Sequence, residues 1–414
     1  MAVAIGAAAF AIVFRAGLSF VYRSLLGGRD VLDAFRGLPR LARVVLPAAG
    51  GLFVGLVARA GAKGGGVGDV MEAVVLGRTN LHLGRTSYKA LGSWLAIASG
   101  GSIGREGPLI QFGGSWGSTV ARVVRLPDAQ TRALIAAGTA AGFAAAYNTP
   151  FAAVLFVLEI VTGVVVLEAI VPVMVATVIA TALTRLFVGG GPIYGERAFT
   201  MASSTELFLH ALLGVAAALV AQGFMRGLSL GERLFEHVRQ PFRAALGGLV
   251  VGVLAIGLPE ITGNGYEPLN MLLDGRFAMS VVVVLIFAKA LATTASVASG
   301  SPGGVFTPSL FLGGAVGALF GHAVNVVFHL PGSEGSFALV GMAAVSAATT
   351  HAPMMAAVLV FEISGDYAIA LPLVLATSIA TIISRRLRPD SLYTAELRRK
   401  GVGWTLTYQG RSYQ

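Results

Sequence analysis

The sequence has no cysteine, which removes disulfides, thiolate nucleophiles and thiolate metal ligands at once. Charge is also scarce. Only 12% of the 414 residues are Asp, Glu, Lys or Arg, against roughly 25% in soluble domains. No hydrophilic stretch is long enough to form an appended soluble domain. The six histidines are scattered without ligand spacing, so no metal centre is indicated. Thirty basic and 20 acidic residues give a net charge of +10, but no readable nucleic-acid motif accompanies it, which excludes nucleic acid as a partner. The chain opens on apolar residues, Met1 to Phe14, without a charged leader segment, and this reads as a first span rather than a signal peptide. What is present is 55% hydrophobic with a mean hydropathy of +0.78. The class is therefore an integral, multi-pass membrane protein whose surroundings are lipid.

Long apolar runs at about 1–25, 41–60, 164–188, 205–236, 279–298 and 367–388 read as spans. Between them lie pieces broken by Gly and Pro, at 86–100, 106–124, 131–146 and 150–162, which read as too short to cross about 30 Å of hydrocarbon alone. Interrupted helices at membrane depth are tolerated where protein buries them or they line a cavity. Basic clusters at Arg36, Arg40 and Arg43, at Arg385, Arg386 and Arg388, and at Arg398, Arg399 and Lys400 are expected at cytoplasmic ends.

The chain also repeats itself. Shifted by 200 residues, Lys89-Ala90-Leu91 falls on Lys289-Ala290-Leu291, Ala98-Ser99-Gly100 on Ala298-Ser299-Gly300, Gly104 on Gly304, and Pro108 on Pro308. Gly113, Gly114 and Gly117 fall on Gly313, Gly314 and Gly317. At a shift of 199, Gly64 and Gly66 meet Gly263 and Gly265; at 203, Gly138, Pro150, Glu159 and Ile160 meet Gly341, Pro353, Glu362 and Ile363. Two such halves with broken helices in corresponding places point to a transporter with its substrate near the midplane. The expected architecture is an all-α polytopic membrane protein of two repeats, 1–199 and 200–400, with a short tail at 401–414, integrated into one transmembrane domain. Inverted topology is the preferred relation between the repeats, by analogy with other transporter folds.

Three glycine-rich breaks precede apolar segments: Gly64-Gly65-Gly66-Val67-Gly68, Gly100 to Pro108 around Glu106, and Gly303-Gly304-Val305-Phe306-Thr307-Pro308. Glycine lets backbone N–H groups approach a ligand, and a helix N-terminus favours an anion. Moving an anion into low dielectric costs on the order of 20 kcal/mol, whereas one helix end contributes roughly 0.3–2 kcal/mol, so several ends must converge. Glu106 is an acid at membrane depth, which marks function by default, and its partner position in the second half is Phe306. Glu159 and Glu362 recur in both halves, which suggests a structural task such as capping. Paired glycines such as Gly113 and Gly117 read first as close helix packing. Ser102 and Ser115 each stand in a G-x-S-x-G pattern, the signature of a nucleophile elbow. The repeat replaces Ser115 by Ala315 while keeping its glycines, which argues against a hydrolase and against enzymatic activity altogether.

Over nearly the whole chain these residues resemble the CLC family of chloride channels and chloride/proton antiporters. Gly104-Arg105-Glu106-Gly107-Pro108 is similar to its G-R-E-G-P motif, whose glutamate is the external gate. Gly304-Val305-Phe306-Thr307-Pro308 resembles its G-x-F-x-P motif, and Tyr393 matches the tyrosine that donates to the central anion. The resemblance implies an anion site formed by the amides of Arg105, Glu106, Val305 and Phe306, the Tyr393 hydroxyl and the Gly65–Gly66 loop. It further implies chloride or a similar small anion as substrate, protons as the coupled ion, no cofactor, a homodimer, and the plasma (inner) membrane of a prokaryote-like member. Two departures stand out. Gly65 occupies the place of an anion-binding serine in the family's G-S-G-I-P motif, and Ile160 occupies that of an inner proton-relay glutamate. No nucleotide-sensing domain pair follows Tyr393. Coupled antiport and passive conduction are both compatible with this pattern, while Tyr393 and Pro108 argue against a fluoride-selective variant.

Overall fold

A computed structural model describes residues 1–59, 67–163 with Gly66, 167–191, 193–195, 206–329, 333–407 and 410–413. In chain order the helices are α1 (Ala2–Phe20), α2 (Val31–Gly37), α3 (Arg40–Arg59), α4 (Val67–Val75), α5 (Leu83–Ala98), α6 (Glu106–Val124), α7 (Asp128–Tyr147), α8 (Pro150–Phe156) and α9 (Leu167–Val188). The second half contributes α10 (Glu206–Phe235), α11 (Phe242–Gly257), α12 (Tyr266–Leu273), α13 (Met279–Ala298), α14 (Phe306–Phe328), α15 (Ser333–Thr350), α16 (Pro353–Ser364), α17 (Ala370–Leu387) and α18 (Leu392–Arg399). A small hairpin of β1 (Trp404–Thr407) and β2 (Gly410–Tyr413) closes the described chain, an element that the all-α expectation did not contain. Among the described residues, seven stretches are long and apolar enough to cross a membrane, including Phe306–Phe328, which the sequence reading had not counted. The piece at 106–124 keeps its bounds as α6, with 19 residues, and the piece at 131–146 extends to the 20 residues of α7; at about 30 Å of helix each, neither is too short to cross.

The succession α3 to α9 recurs as α11 to α17, and equivalent pairs make equivalent contacts. On α6 and α7, Gly113 and Gly138 bring two backbones together so closely that a Cβ on either would collide with the other's carbonyl. Gly313 and Gly341 do the same between α14 and α15. Here the packing reading of the paired glycines holds.

The relation between the halves is visible where they touch. Along α3 and α11, Gly51 meets Ala244, Gly248 meets Pro47, and Gly252 meets Val44, while Gly55 meets Pro241. Moving up one helix moves down the other, so these equivalent spans are antiparallel. A two-fold axis that pairs antiparallel spans lies across them, in the membrane plane, which is an inverted repeat. The two glutamates of the repeat obey the same symmetry. Glu159 accepts from the backbone N–H groups of Met354 and Met355 at 3.2 and 2.7 Å. Glu362 accepts from Phe151 and Ala152 at 3.1 and 2.7 Å. Each carboxylate thus caps the first turn of the short helix in the opposite half, satisfying donors that have no intrahelical partner.

One sequence expectation fails. Arg43 lies at the start of α3 and donates to Ile256 O at the end of α11. At the opposite end, Gly55 meets Pro241, and Arg243 donates to Ala298 O near Val297, which faces Arg388 and Arg399 across a cavity. The cluster at Arg36–Arg43 and the cluster at Arg388–Arg399 therefore occupy opposite faces, and both cannot be cytoplasmic. Arg36 is instead paired with Glu260 at 2.6 Å, a fixed contact rather than a free positive end.

If the reciprocal caps tie the halves together, Glu362→Ala and Glu159→Ala should each lower stability by about 2 kcal/mol, the scale of a lost charged cap. Thermal unfolding in detergent should show comparable drops for both variants; an unaffected midpoint in either would remove the capping role.

Candidate functional site

Helices α5 and α13 end alike. Gly100 and Gly300 adopt φ of 91° and 93°, a left-handed conformation that glycine reaches without strain and that terminates a helix. The loops that follow cross each other: Gly104 N–H donates to Gly304 O at 2.7 Å and Gly304 N–H to Gly104 O at 2.8 Å. Immediately afterwards α6 and α14 begin, so two helix N-termini face one another across this bridge.

Glu106, the first residue of α6, turns its carboxylate onto the N-terminus of α14. Oε1 accepts from Phe306 N–H at 3.0 Å and Thr307 N–H at 3.2 Å, and Oε2 accepts from the Thr307 hydroxyl at 2.9 Å. The side chain is only 1% exposed. A Cβ on Gly104 or Gly304 would overlap this carboxylate, so the glycines of both repeats make the room as well as the bridge. The Thr307 hydroxyl has one proton, given to Glu106; the 2.7 Å contact to Tyr147 Oη is therefore donated by Tyr147. The Phe306 ring is fully buried and meets the rings of Phe143 and Tyr147 at 5.9 and 5.7 Å.

A cavity of about 270 Å³ opens below the bridge, lined among others by Gly66, Glu106, Gly304, Val305, Tyr393 and Glu396. Here the N-termini of α4, α6 and α14 converge with Tyr393 of α18. The Tyr393 ring stands edge-on to Phe156 at 6.1 Å. Phe306 does not line this cavity: its amide is taken by the Glu106 carboxylate and its ring is buried. Arg105 points the other way, into a separate cavity of about 170 Å³ shared with Arg15, Asp30, Tyr266 and Glu267. Glu106 thus lies between a basic antechamber and the larger cavity. Gly65 lies outside the described residues. Ile160 is buried in the core at 1% exposure.

The serine motifs dissolve. Ser102 is fully buried and bonds Thr293 Oγ1 at 3.0 Å; Ser115 sits within α6, bonded to Thr86 Oγ1 at 2.7 Å. Neither stands on a strand-to-helix elbow or meets a histidine, as nucleophilic activation requires. Among the described residues no group of three or more His, Asp or Glu could hold a metal ion.

The sequence reading missed Thr307, Tyr147 and Glu396. Thr307 was within the quoted motif, at the position occupied by Gly107 in the first half. Glu396 follows Tyr393 by three residues, one turn along the same face of α18. Tyr147 carries no local signal.

A family model described as voltage gated chloride channel matches residues 48–385. A putative chloride channel protein, ClcB-like, from Ralstonia nicotianae is 37% identical over 388 residues, 90% of this chain and 90% of its own. A voltage-gated ClC-type chloride channel, ClcB, from Citrobacter koseri is 35% identical over 88% of this chain and 89% of its own. Among solved structures, a slow cyanobacterial Cl⁻/H⁺ antiporter superposes with a TM-score of 0.87 at 25% identity, covering 96% of both chains. A CLC-type fluoride/proton antiporter shares the fold at a TM-score of 0.75 and 22% identity, over 95% of this chain and 97% of its own.

Proposed function

The chain belongs to the voltage-gated chloride channel (CLC) family, whose members are transporters and channels and not enzymes, and from that premise we propose that it exchanges chloride or a similar small anion for protons, with Glu106 as the gate. The observation that carries this reading is the seat of the Glu106 carboxylate on the amides of Phe306 and Thr307. A carboxylate and a halide ask for the same donors. While Glu106 is ionised and seated, it stands where an anion would be held; once protonated, it loses its attraction for the helix end and yields the place. Anion occupancy and protonation are then linked by competition, which is the requirement for exchange. The amide of Val305, the Tyr393 hydroxyl and Gly66 supply further weak donors or room for them in the shared cavity. Weak, distributed binding lets the ion leave again.

Passive conduction is the second reading, favoured by one observation: Ile160 cannot carry a proton. The relatives divide in the same way, with channel in the names of the two ClcB-type proteins and antiporter in that of the cyanobacterial one. Reconstituted vesicles separate the two. A chloride gradient should drive protons uphill in the wild type, and Glu106→Gln should leave anion flux that no longer depends on external pH. Unchanged pH dependence in the variant would remove Glu106 from the gate.

Thr307 tunes the same gate. Thr307→Val deletes one donor to the ionised carboxylate, weakening the seated form relative to the protonated one, so opening should occur at higher pH. A hydrogen bond to a charged group contributes about 1.5–3 kcal/mol, and one pH unit corresponds to about 1.4 kcal/mol. The half-maximal flux should therefore move upward by about one unit or more. A downward shift, or none, would assign the Thr307 hydroxyl to packing.

The partner reading is a homodimer. The helix that α8 begins, Pro150–Thr162, and α16, with 12 residues, are too short to cross the bilayer, and their first turns expose Phe151 at 64% and Met354 at 60%. The Glu159 and Glu362 caps satisfy the backbone donors of these ends but leave the two apolar side chains uncovered, and a second copy of this chain on that face would cover them. Fluorescently tagged protein in lipid bilayers should bleach in two steps; single-step bleaching throughout would exclude the dimer.

A further inference from the structure

A proton that reaches Glu106 from the side of the 270 Å³ cavity can be handed on by an acid on that side, and Ile160 is not one. Glu396 stands in the same cavity as Glu106 and Tyr393, one turn beyond Tyr393 on α18. Its carboxylate lies over the N-terminus of α4, whose N-cap is Gly66. A Cβ on Gly66 would stand 3.5 Å from Oε2, and one on Gly68 would stand 2.8 Å from Cδ. The second distance is shorter than a Cβ contact allows, so a side chain at position 68 would require the Glu396 carboxyl to move. Position 68 is also where the G-S-G-I-P pattern has its proline. This chain has glycine there, and the acid fills the space thereby opened.

We propose that Glu396 is the proton-transfer acid on the inner side of the anion cavity, replacing the relay group absent at Ile160. The inference rests on the antiport reading. The two acids then occupy parallel positions, Glu106 on the N-terminus of α14 and Glu396 at that of α4, with the cavity between them. A volume of about 270 Å³ holds several waters at roughly 30 Å³ each, enough for a hydrogen-bonded chain. In the step proposed, the protonated Glu396 carboxyl releases its proton to this chain while the chain delivers a proton to the Glu106 carboxylate. Glu396 is left ionised and regains a proton from the inner solution. No other bond changes.

The charges facing Glu396 suit an acid that can take either form. On its own helix, Lys400 Nζ lies at 3.6 Å, beyond hydrogen-bond length, and Arg399 lines the same cavity. Lys400 is drawn towards Asp69 of α4, which also receives Lys89 at 3.2 Å and Gln111 at 3.0 Å. Arg399 is engaged by Glu232 of α10. Arg388, from the segment after α17, and Glu106, from α6, complete the lining charges. Glu396 thus shares Lys400 with Asp69, which holds that ammonium more closely, while Arg399 is engaged by Glu232.

Reconstituted wild type, Glu396→Gln and Glu396→Asp are to be compared for chloride flux and for chloride-driven uphill proton movement. Glutamine keeps the volume of the side chain and removes the titration. Glu396→Gln should retain anion flux while proton movement falls at least tenfold, and Glu396→Asp should restore a measurable part of it. Proton movement in Glu396→Gln equal to wild type overturns the assignment and leaves antiport standing. An equal loss of both fluxes also overturns it, since the residue then serves structure or the anion path. If the wild type itself moves no protons, the antiport reading fails first, and this assignment with it.

Discussion

Two hydrogen bonds between Gly104 and Gly304, at 2.7 and 2.8 Å, join residues that the repeat makes equivalent. Only a two-fold relation allows both to form at once with each glycine as donor and acceptor. The bridge fixes where α6 and α14 start, and so aims the N-terminus of α14 at the first side chain of α6. It also demands glycine twice over, because a Cβ at either position would strike the Glu106 carboxylate. The seat of the acid, the spacing of the helix ends and the closure between the two cavities all follow from this one crossing.

The energetics favour such an arrangement for an ion that must be held and released. Full desolvation of an anion costs on the order of 20 kcal/mol, which no single group at the site offsets. Two amides and a hydroxyl reach the Glu106 carboxylate, each contributing about 1.5–3 kcal/mol as a bond to a charged group. Further helix ends add fractions of that amount. The sum is comparable to the penalty only when water fills the rest of the shell. The site therefore has to be open to a wet cavity on at least one side, as it is at Tyr393, and an ion held this way remains exchangeable.

Much of this was legible in residues. The repeat was readable because backbone demands recur: Gly100 and Gly300 need the same positive φ, and Gly113 and Gly313 need the same close approach. Glu106 was readable because an acid amid glycines has few structural excuses. The capping task of Glu159 and Glu362 could be guessed, but not that each serves the opposite half, since nothing local says which helix end lies nearby. Thr307, Tyr147 and Glu396 were not legible because their roles depend on distance in space. Tyr147 reaches Thr307 across 160 positions, and Glu396 crosses from α18 to α4. The error over the arginine clusters has the same source: a charge count along the chain carries no information about which end of an antiparallel pair it reaches.

A division of labour follows from where the symmetry holds and where it fails. Residues that obey the repeat build the frame: the crossing glycines, the packing glycines, the reciprocal caps. Residues that break it line the 270 Å³ cavity or the carboxylate seat beside it. Glu106 stands opposite Phe306, Thr307 opposite Gly107, and α18, with Tyr393 and Glu396, has no counterpart among the described residues of the first half. A perfectly symmetric pair would place identical groups on both sides of the crossing, and two ionised acids that close would repel each other and the anion. Placing the acid on one strand and the amides it needs on the other gives a single titratable group with a fixed seat. The inversion supplies two helix ends pointing at one another, and the departure from it decides which end carries the charge and which end receives it.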